Sequence, residues 1–173
     1  TPEQTDELFL LRAAGRDIVE AIKDTKHLQK NLSRYLVSRN EHIRKEYNNI
    51  RAHLASVLRR LDAVRRGDDT NIILSLDSLK VAIKEYDRAL DIRVSSLIRK
   101  KQITAPMSIS LMNDSGYACD VTKNLVKMGT VLLPSGDLAL REAKRSISLD
   151  EDEVDDMLEA SAKPTSGVSH EDQ

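Results

Sequence analysis

Residues 91–133 read DIRVSSLIRKKQITAPMSISLMNDSGYACDVTKNLVKMGTVLL and join two long, apolar-striped segments through a short turn. The basic run at 99–101 suits the negative end of a helix that closes there. Thr104 can cap the helix that follows, and Pro106 fits its first turn, where a missing N–H costs nothing. The stretch therefore predicts a helix–turn–helix corner of the kind that builds antiparallel bundles.

The rest of the chain repeats the helical pattern, with apolar residues at alternating steps of three and four. We predict helices over about 3–37, 40–67, 71–100 and 105–132, with Asn40 as a cap and a turn at Gly67–Thr70. Four helices joined by short loops predict an all-α, up-down-up-down antiparallel bundle.

One apolar stripe on each helix is predicted to face the core. On the first helix it consists of Leu8, Leu11, Gly15, Ile18, Ile22, Thr25, Gln29 and Leu32. On the second it consists of Ile43, Tyr47, Ile50, Leu54, Val57, Leu61 and Val64, and on the third of Ile72, Leu76, Leu79, Ile83, Tyr86, Leu90, Val94 and Leu97. The fourth has a wide apolar side that includes Leu111, Met112, Ala118, Cys119, Val121, Leu125, Val126, Gly129 and Leu132. Because Gly15 lies on its stripe, we interpret it as a point of close helix–helix approach.

Composition agrees with a helical bundle and limits the setting of the protein. Aromatic residues make up 3% of the chain and charged residues 32%, which disfavours a sheet sandwich. The single Cys119 excludes an intrachain disulfide framework and favours a reducing, intracellular compartment. No apolar run approaches the roughly 20 residues of a membrane helix. The chain begins at Thr1, so we expect it to be a piece of a longer protein.

The net charge of −1 conceals a basic body and an acidic tail. Residues 134–173 hold eleven acidic and four basic residues, which leaves residues 1–133 with a charge of +6. Nucleic acid is disfavoured as a partner because acids interleave with the bases and no aromatic stacking set accompanies them. The tail is predicted to be largely disordered. The alternative is a short helix that docks on the basic body through Leu149, Val154, Met157 and Leu158.

Carboxylates on the first helix suggest a cation site. Asp17, Glu20, Asp24, His27 and Asn31 recur at steps of three and four on the face opposite the apolar stripe. Hard divalent cations or iron accept such oxygen ligands. The alternative, which is commoner, is a solvated outer face.

The fourth helix carries a related group. Asp120 and Asn124 share a face, but Lys123 and Lys127 lie beside them and weaken the case for a cation. Asp114 lies near the apolar side and is expected to be satisfied by the backbone or by a neighbouring helix.

No catalytic signature is present, so the chain is predicted not to be an enzyme. Cys119 falls on an apolar stripe, where a free cysteine usually acts as a small hydrophobe. His42 and His53 are interpreted as isolated surface residues. A di-iron bundle would need inward-facing Glu and Glu-x-x-His pairs, whereas the carboxylates here face away from the stripe of their own helix.

Two segments resemble PhoU-like domains, over about residues 3–133. Ile103 to Val126, with Asp120-Val-Thr-Lys-Asn124-Leu125, is similar to the third helix of a PhoU-like repeat, in which an ExxxD pattern precedes an Asn. Ile18-Val-Glu20-Ala-Ile-Lys-Asp24 resembles the same helix of the preceding repeat. The turn at 97–105 is most similar to the variant fused to bacterial sodium/phosphate cotransporters.

The resemblance implies a function and a candidate metal site. Glu20 and Asp24 keep the metal-binding pair of the motif, whereas the second motif keeps only Asp120 and Asn124, because Gly116 stands where Glu is expected. Leu28 likewise stands where the first motif has Asn. The implied ligand is a divalent metal or iron.

The implied role is that of a regulatory or accessory domain on the cytoplasmic face of the inner membrane, as part of a larger membrane protein. It would contact a membrane transporter domain of the same or another chain, or further copies of itself, with no small-molecule substrate of its own. The alternative is a generic helical scaffold or dimerisation bundle with no role in phosphate transport.

Overall fold

The computed structural model describes residues 1–67, 72–134, 143 and 146–162, and this part of the chain is all-helical. The helices are α1 (Pro2–Tyr35), α2 (Glu41–Arg66), α3 (Ile72–Arg99), α4 (Ala105–Leu132) and α5 (Glu151–Ala162). The four long helices begin and end within two residues of the predicted positions. The prediction of an all-helical bundle is confirmed.

Local chemistry accounts for most of the helix ends. The Asn40 side chain accepts hydrogen bonds from the N–H groups of His42 and Ile43 at 3.0 and 3.1 Å. Gly67 ends α2 in the left-handed region, at φ 80°. Thr104 occupies the N-cap position of α4 as predicted, but its side chain makes no capping hydrogen bond. Pro106 at the second helical position has no N–H to donate, which removes one of the two usual capping donors.

Helix α4 lies against α1, α2 and α3, and its longest contact is with α1. The buried apolar residues form two clusters along the bundle. The first draws on all four long helices and includes Leu28, Tyr47, Leu90 and Leu111. The second lies between α2, α3 and α4 and includes Val57, Leu61, Leu76, Ile83 and Val126. The predicted stripes of α2 and α3 therefore face the core.

The predicted stripe of α1 is wrong. Its large residues from Leu8 to Ile22 are exposed, with Leu8 at 67% and Ile22 at 63%, whereas Leu32 is partly buried against the core. The buried residues of α1 instead recur every seven positions, at Ala14, Ala21, Leu28 and Tyr35. Periodicity alone favoured the larger side chains, whereas α4 packs on a face with two alanines, whose small side chains let the helices approach.

The expected close approach at Gly15 is also absent from the bundle. A Cβ atom built at Gly15 meets nothing within 4 Å. The close approach lies at Gly129 of α4, where a Cβ would be 3.1 Å from Leu61 Cδ2. Gly129, and not Gly15, is therefore the glycine at which two helices, α2 and α4, approach closely.

Part of the predicted disordered tail is a docked helix, which corrects the expectation for residues 151–162. Asp150 and Glu153 form a capping box, in which each side chain accepts the backbone N–H of the other at 2.8 Å. Val154 is 1% exposed, and Leu158 is also buried. The rest of the tail prediction falls on 135–142, 144–145 and 163–173, outside the described residues. The division into a 1–133 bundle and a 134–173 tail stays a prediction.

Within the described ranges, every helix is too short or too polar to cross a membrane.

Candidate functional site

The contact between α1 and α4 brings two of the predicted site residues near each other. Asp24 of α1 is half-buried. Burial raises the pKa of its carboxyl group, and the neighbouring carboxylates of Asp120 and Glu20 raise it further. Lys23 and His27 act in the opposite direction. Asp24 is therefore the point at which negative charge from two helices meets.

The other predicted ligands are more open to solvent. Glu20 and Asp120 are exposed, and Asn124 is half-buried. Glu20 accepts a hydrogen bond from Lys23 Nζ at 2.7 Å. The solvated-face interpretation thus fits Glu20 but not Asp24, because the face opposite the apolar stripe turns partly towards α4.

A third helix extends this group of carboxylates. Burial raises the pKa of Asp87 on α3, Asp91 and Asp120 add to the effect, and Lys123 and Lys84 oppose it. Sequence reasoning missed Asp87 and Asp91. The signal was available, since the two lie one helical turn apart, as Glu20 and Asp24 do.

The carboxylates as placed do not form a ready metal centre. Among the described residues, no three His, Cys, Asp or Glu side chains are arranged to hold a metal ion. Lys23 and Lys123 already supply positive charge to the group. The ring of His27 stacks on Tyr117, with centroids 5.0 Å apart. Metal binding at Glu20, Asp24, Asp120 and Asn124 stays a prediction.

A buried polar pair joins α2 to α4, as expected for Asp114. Tyr47 donates a hydrogen bond of 2.5 Å to Asp114 Oδ2. Burial raises the pKa of Asp114, and hydrogen bonds from Tyr47 and Asn31 oppose that rise. Because Tyr47 is fully buried, this pair holds the helices in register and is closed to substrates.

A second polar group lies between α2 and α3 and corrects the interpretation of His53. The His53 ring stacks on Tyr86 at a centroid distance of 3.8 Å, and burial lowers the pKa of His53. Nearby, the buried Glu46 accepts a hydrogen bond from Arg93 Nε at 3.1 Å. His53 is thus a packed residue and not an isolated surface one. His42 is half-buried.

The thiol of Cys119 has the character of a packed hydrophobe. It is half-buried, and burial raises its pKa to about 11. A thiol with so high a pKa is almost wholly protonated at neutral pH and is therefore a poor nucleophile.

Helix α1 carries six exposed large apolar residues, more than any other helix in the described part of the chain. We call this set the α1 face, and it consists of Leu8, Phe9, Leu11, Ile18, Val19 and Ile22. Single apolar residues are ordinary on a protein surface, but six on one helix make the α1 face a candidate interaction surface.

A basic flank runs along α3 and α4, and α5 covers part of it; it consists of Lys80, Lys84, Arg88, Lys123 and Lys127. Asp155 of α5 accepts hydrogen bonds from Lys84 at 2.7 Å and Arg88 at 3.3 Å. Just before α5, Ser148 Oγ donates to Asp77 at 2.7 Å. A cavity of about 240 Å³ lies beneath, lined by four lysines and by Ile83, Val126, Leu149 and Val154 among others. Residues 148–158 therefore dock on the basic body, as the alternative interpretation of the tail predicted.

Comparisons with known proteins give no relative for the chain. No protein-family model matches the sequence. Searches of the curated proteins and of the solved structures found no significant match.

Proposed function

We propose that the chain is a regulatory or accessory helical domain that works through protein contacts, with the α1 face as its binding surface. By its resemblance to PhoU-like domains, the partner is the membrane part of a sodium/phosphate cotransporter, met at the cytoplasmic face of the inner membrane. The observation that carries the proposal is the row of large apolar side chains on α1, which the bundle itself leaves uncovered.

The arrangement of the helices supports the PhoU-like part of the proposal. Tyr35 of α1 contacts Ser110 of α4, and His27 stacks on Tyr117. Further along, the charge of the Asp120 carboxylate raises the pKa of Asp24. As residue numbers fall on α1 they rise on α4, which is the order that an antiparallel pair gives. The two motif-bearing helices are therefore proposed to lie side by side, with their carboxylates at one level.

The proposed role of α5 is to regulate access to the basic flank. The helix is held by two buried side chains, Val154 and Leu158, and by ion pairs through Asp155. So small a contact is a suitable basis for a reversible switch, since few interactions must break to release it.

Co-purification with a cotransporter membrane domain tests the proposal. Ile18→Glu and Ile22→Glu place charges on the α1 face and should abolish retention of the chain. Ile92→Glu is the matched control, because Ile92 is also an isoleucine within a helix. It lies on α3 and is 69% exposed. If the wild-type chain is not retained, or if the α1 variants bind as well as the control, the proposal fails.

The predicted metal site at Glu20, Asp24, Asp120 and Asn124 has its own test. Gly116→Glu restores the missing carboxylate of the second motif at an exposed position where an added Cβ meets nothing within 4 Å. Elemental analysis after dialysis against Mg²⁺, Zn²⁺ or Fe²⁺ should show more bound metal in Gly116→Glu than in Gly116→Ala. Asp24→Asn should remove that gain, and a gain that survives Asp24→Asn would place the metal elsewhere.

A helical scaffold with no link to phosphate is the second candidate, and the same uncovered α1 face favours it. The two candidates separate in the co-purification experiment, because a scaffold would show no preference for a phosphate transporter over an unrelated membrane protein.

A further inference from the structure

We infer that α1 binds α1 of a second copy of the chain in an antiparallel pair, with the two helices crossing at Gly15. The inference rests on the proposed role of the α1 face as a protein contact, and it names one occupant of that face.

Gly15 is a residue that the single chain leaves unexplained. It lies in the interior of a helix, where glycine is less favourable than alanine. It is exposed, and a side chain there would meet no atom within 4 Å. An absent side chain in the middle of an exposed apolar row does, however, allow the backbone of another helix to approach closely.

The row is nearly symmetric about Gly15. Leu8 lies seven residues before it and Ile22 seven after, while Leu11 lies four before and Ile18 three after. A two-fold pair requires that residue i of one copy meets residue j of the other and that j meets i. Crossing at Gly15 satisfies this, since Leu8 and Leu11 of each helix come beside Ile22 and Ile18 of the other.

Charge along α1 favours the antiparallel direction. Residues 2–8 contain three acidic and no basic side chains, whereas residues 22–30 contain three lysines and one aspartate. An antiparallel pair places each acidic end beside a basic end, and a parallel pair places like charges together. Between Leu8 and Ile22 the seam is about 21 Å long at 1.5 Å per residue, so the contact is small and should dissociate on dilution.

Cysteine cross-linking tests the geometry directly. In a Cys119→Ser background, Gly15→Cys should form a disulfide-linked dimer under mild oxidation, because only at the crossing point does a residue meet its own copy. Leu8→Cys alone should cross-link weakly, and a mixture of Leu8→Cys with Ile22→Cys should give the mixed dimer. Strong cross-linking of Leu8→Cys with itself would overturn the antiparallel arrangement.

Analytical ultracentrifugation over a range of concentrations tests the association itself. The wild-type chain should dimerise, Ile18→Glu should stay monomeric, and Ile92→Glu should behave as wild type. A monomer at every concentration, together with Gly15→Cys cross-linking no better than Ile92→Cys, would overturn the inference. Helical content by circular dichroism shows that each variant is folded.

The two proposals fail separately. A monomeric chain that still binds the cotransporter domain through the α1 face loses the dimer and keeps the proposed function. A dimer with no affinity for any cotransporter domain keeps the pairing of α1 and loses the proposed function.

Discussion

The pKa of the Asp24 carboxyl group reflects the packing of α1 against α4. Its environment combines partial burial with the charges of Asp120 and Glu20, and all three raise its pKa. The resemblance to the PhoU-like motif predicted Asp24 and Asp120 as candidate metal ligands. It did not indicate that they would meet, because that depends on which face of α1 turns towards α4.

Asp24→Asn should stabilise the protein at neutral pH. A pKa raised above 3.8 in the folded state means that the folded chain loses stability as pH rises through that raised value. The uncharged amide escapes this loss, so its melting temperature should exceed that of the wild type at pH 7. Below pH 3.8 the wild-type carboxyl group is protonated in both states, and the advantage should vanish. Equal melting temperatures at pH 7 would contradict the placement of Asp24.

The two glycines of α4 should respond differently to alanine. Gly116 is exposed with open space around it, so Gly116→Ala should stabilise the protein by about 0.5–1 kcal/mol, which is the helix-propensity gain. Gly129→Ala should gain less or lose stability, because its Cβ would press on Leu61 at 3.1 Å. Urea denaturation of both variants measures the difference. A gain at Gly129 as large as that at Gly116 would mean that α2 and α4 are not in close contact there.

At the scale of the helix, length and position were predictable but the orientation of α1 was not. The stripes of α2 and α3 are rows of large aliphatic residues with polar residues opposite, so their buried faces follow from the sequence. Helix α1 carries two rows, one of large residues and one that includes Ala14 and Ala21. Hydrophobicity ranks the first row higher, whereas packing against α4 selects the second.

Paired alanine substitutions on α1 test that orientation. Leu28→Ala should destabilise the protein by about 2–5 kcal/mol, because Leu28 is 1% exposed within the first core cluster. Ile22→Ala removes a side chain that is 63% exposed and should change the stability of the monomer little. Measurement at a concentration low enough to dissociate any dimer keeps the comparison clean. The reverse order of effects would restore the predicted stripe.

Helix α5 was only partly predictable from local chemistry. Asp150 and Glu153 have the spacing of a capping box, and Val154 and Leu158 lie one turn apart. Composition nevertheless predicted disorder, because the stretch is strongly acidic. It docks through ion pairs to Lys84 and Arg88 of α3, which are distant in sequence, and a local pattern cannot reveal them.

For the whole molecule, the bundle should survive without its tail. Both core clusters are built from residues of α1–α4 and the corner before α4, so a chain that ends at Pro134 should keep its helical content and unfold cooperatively. A peptide of residues 146–162 should then bind it in trans, and more weakly at high salt because Asp155 docks through ion pairs. Isothermal titration calorimetry measures this binding.

The peptide experiment has a matched control on the same helix. Val154→Asp should abolish binding, since that side chain is 1% exposed, whereas Met157→Ala, which is 52% exposed in the intact chain, should bind as the parent peptide does. Loss of folding in the shortened chain would show that α5 belongs to the core.

Helix α4 packs on α1 along one side and, along the other, lines the cavity beneath α5. Helix α4 therefore contacts both α1, where a partner would bind, and the cavity over which α5 docks. By thermodynamic linkage, if a partner bound to α1 changes the affinity of the bundle for α5 by some factor, then docking of α5 changes the affinity for that partner by the same factor. Hydrogen exchange at the amides of residues 151–162 would measure that coupling.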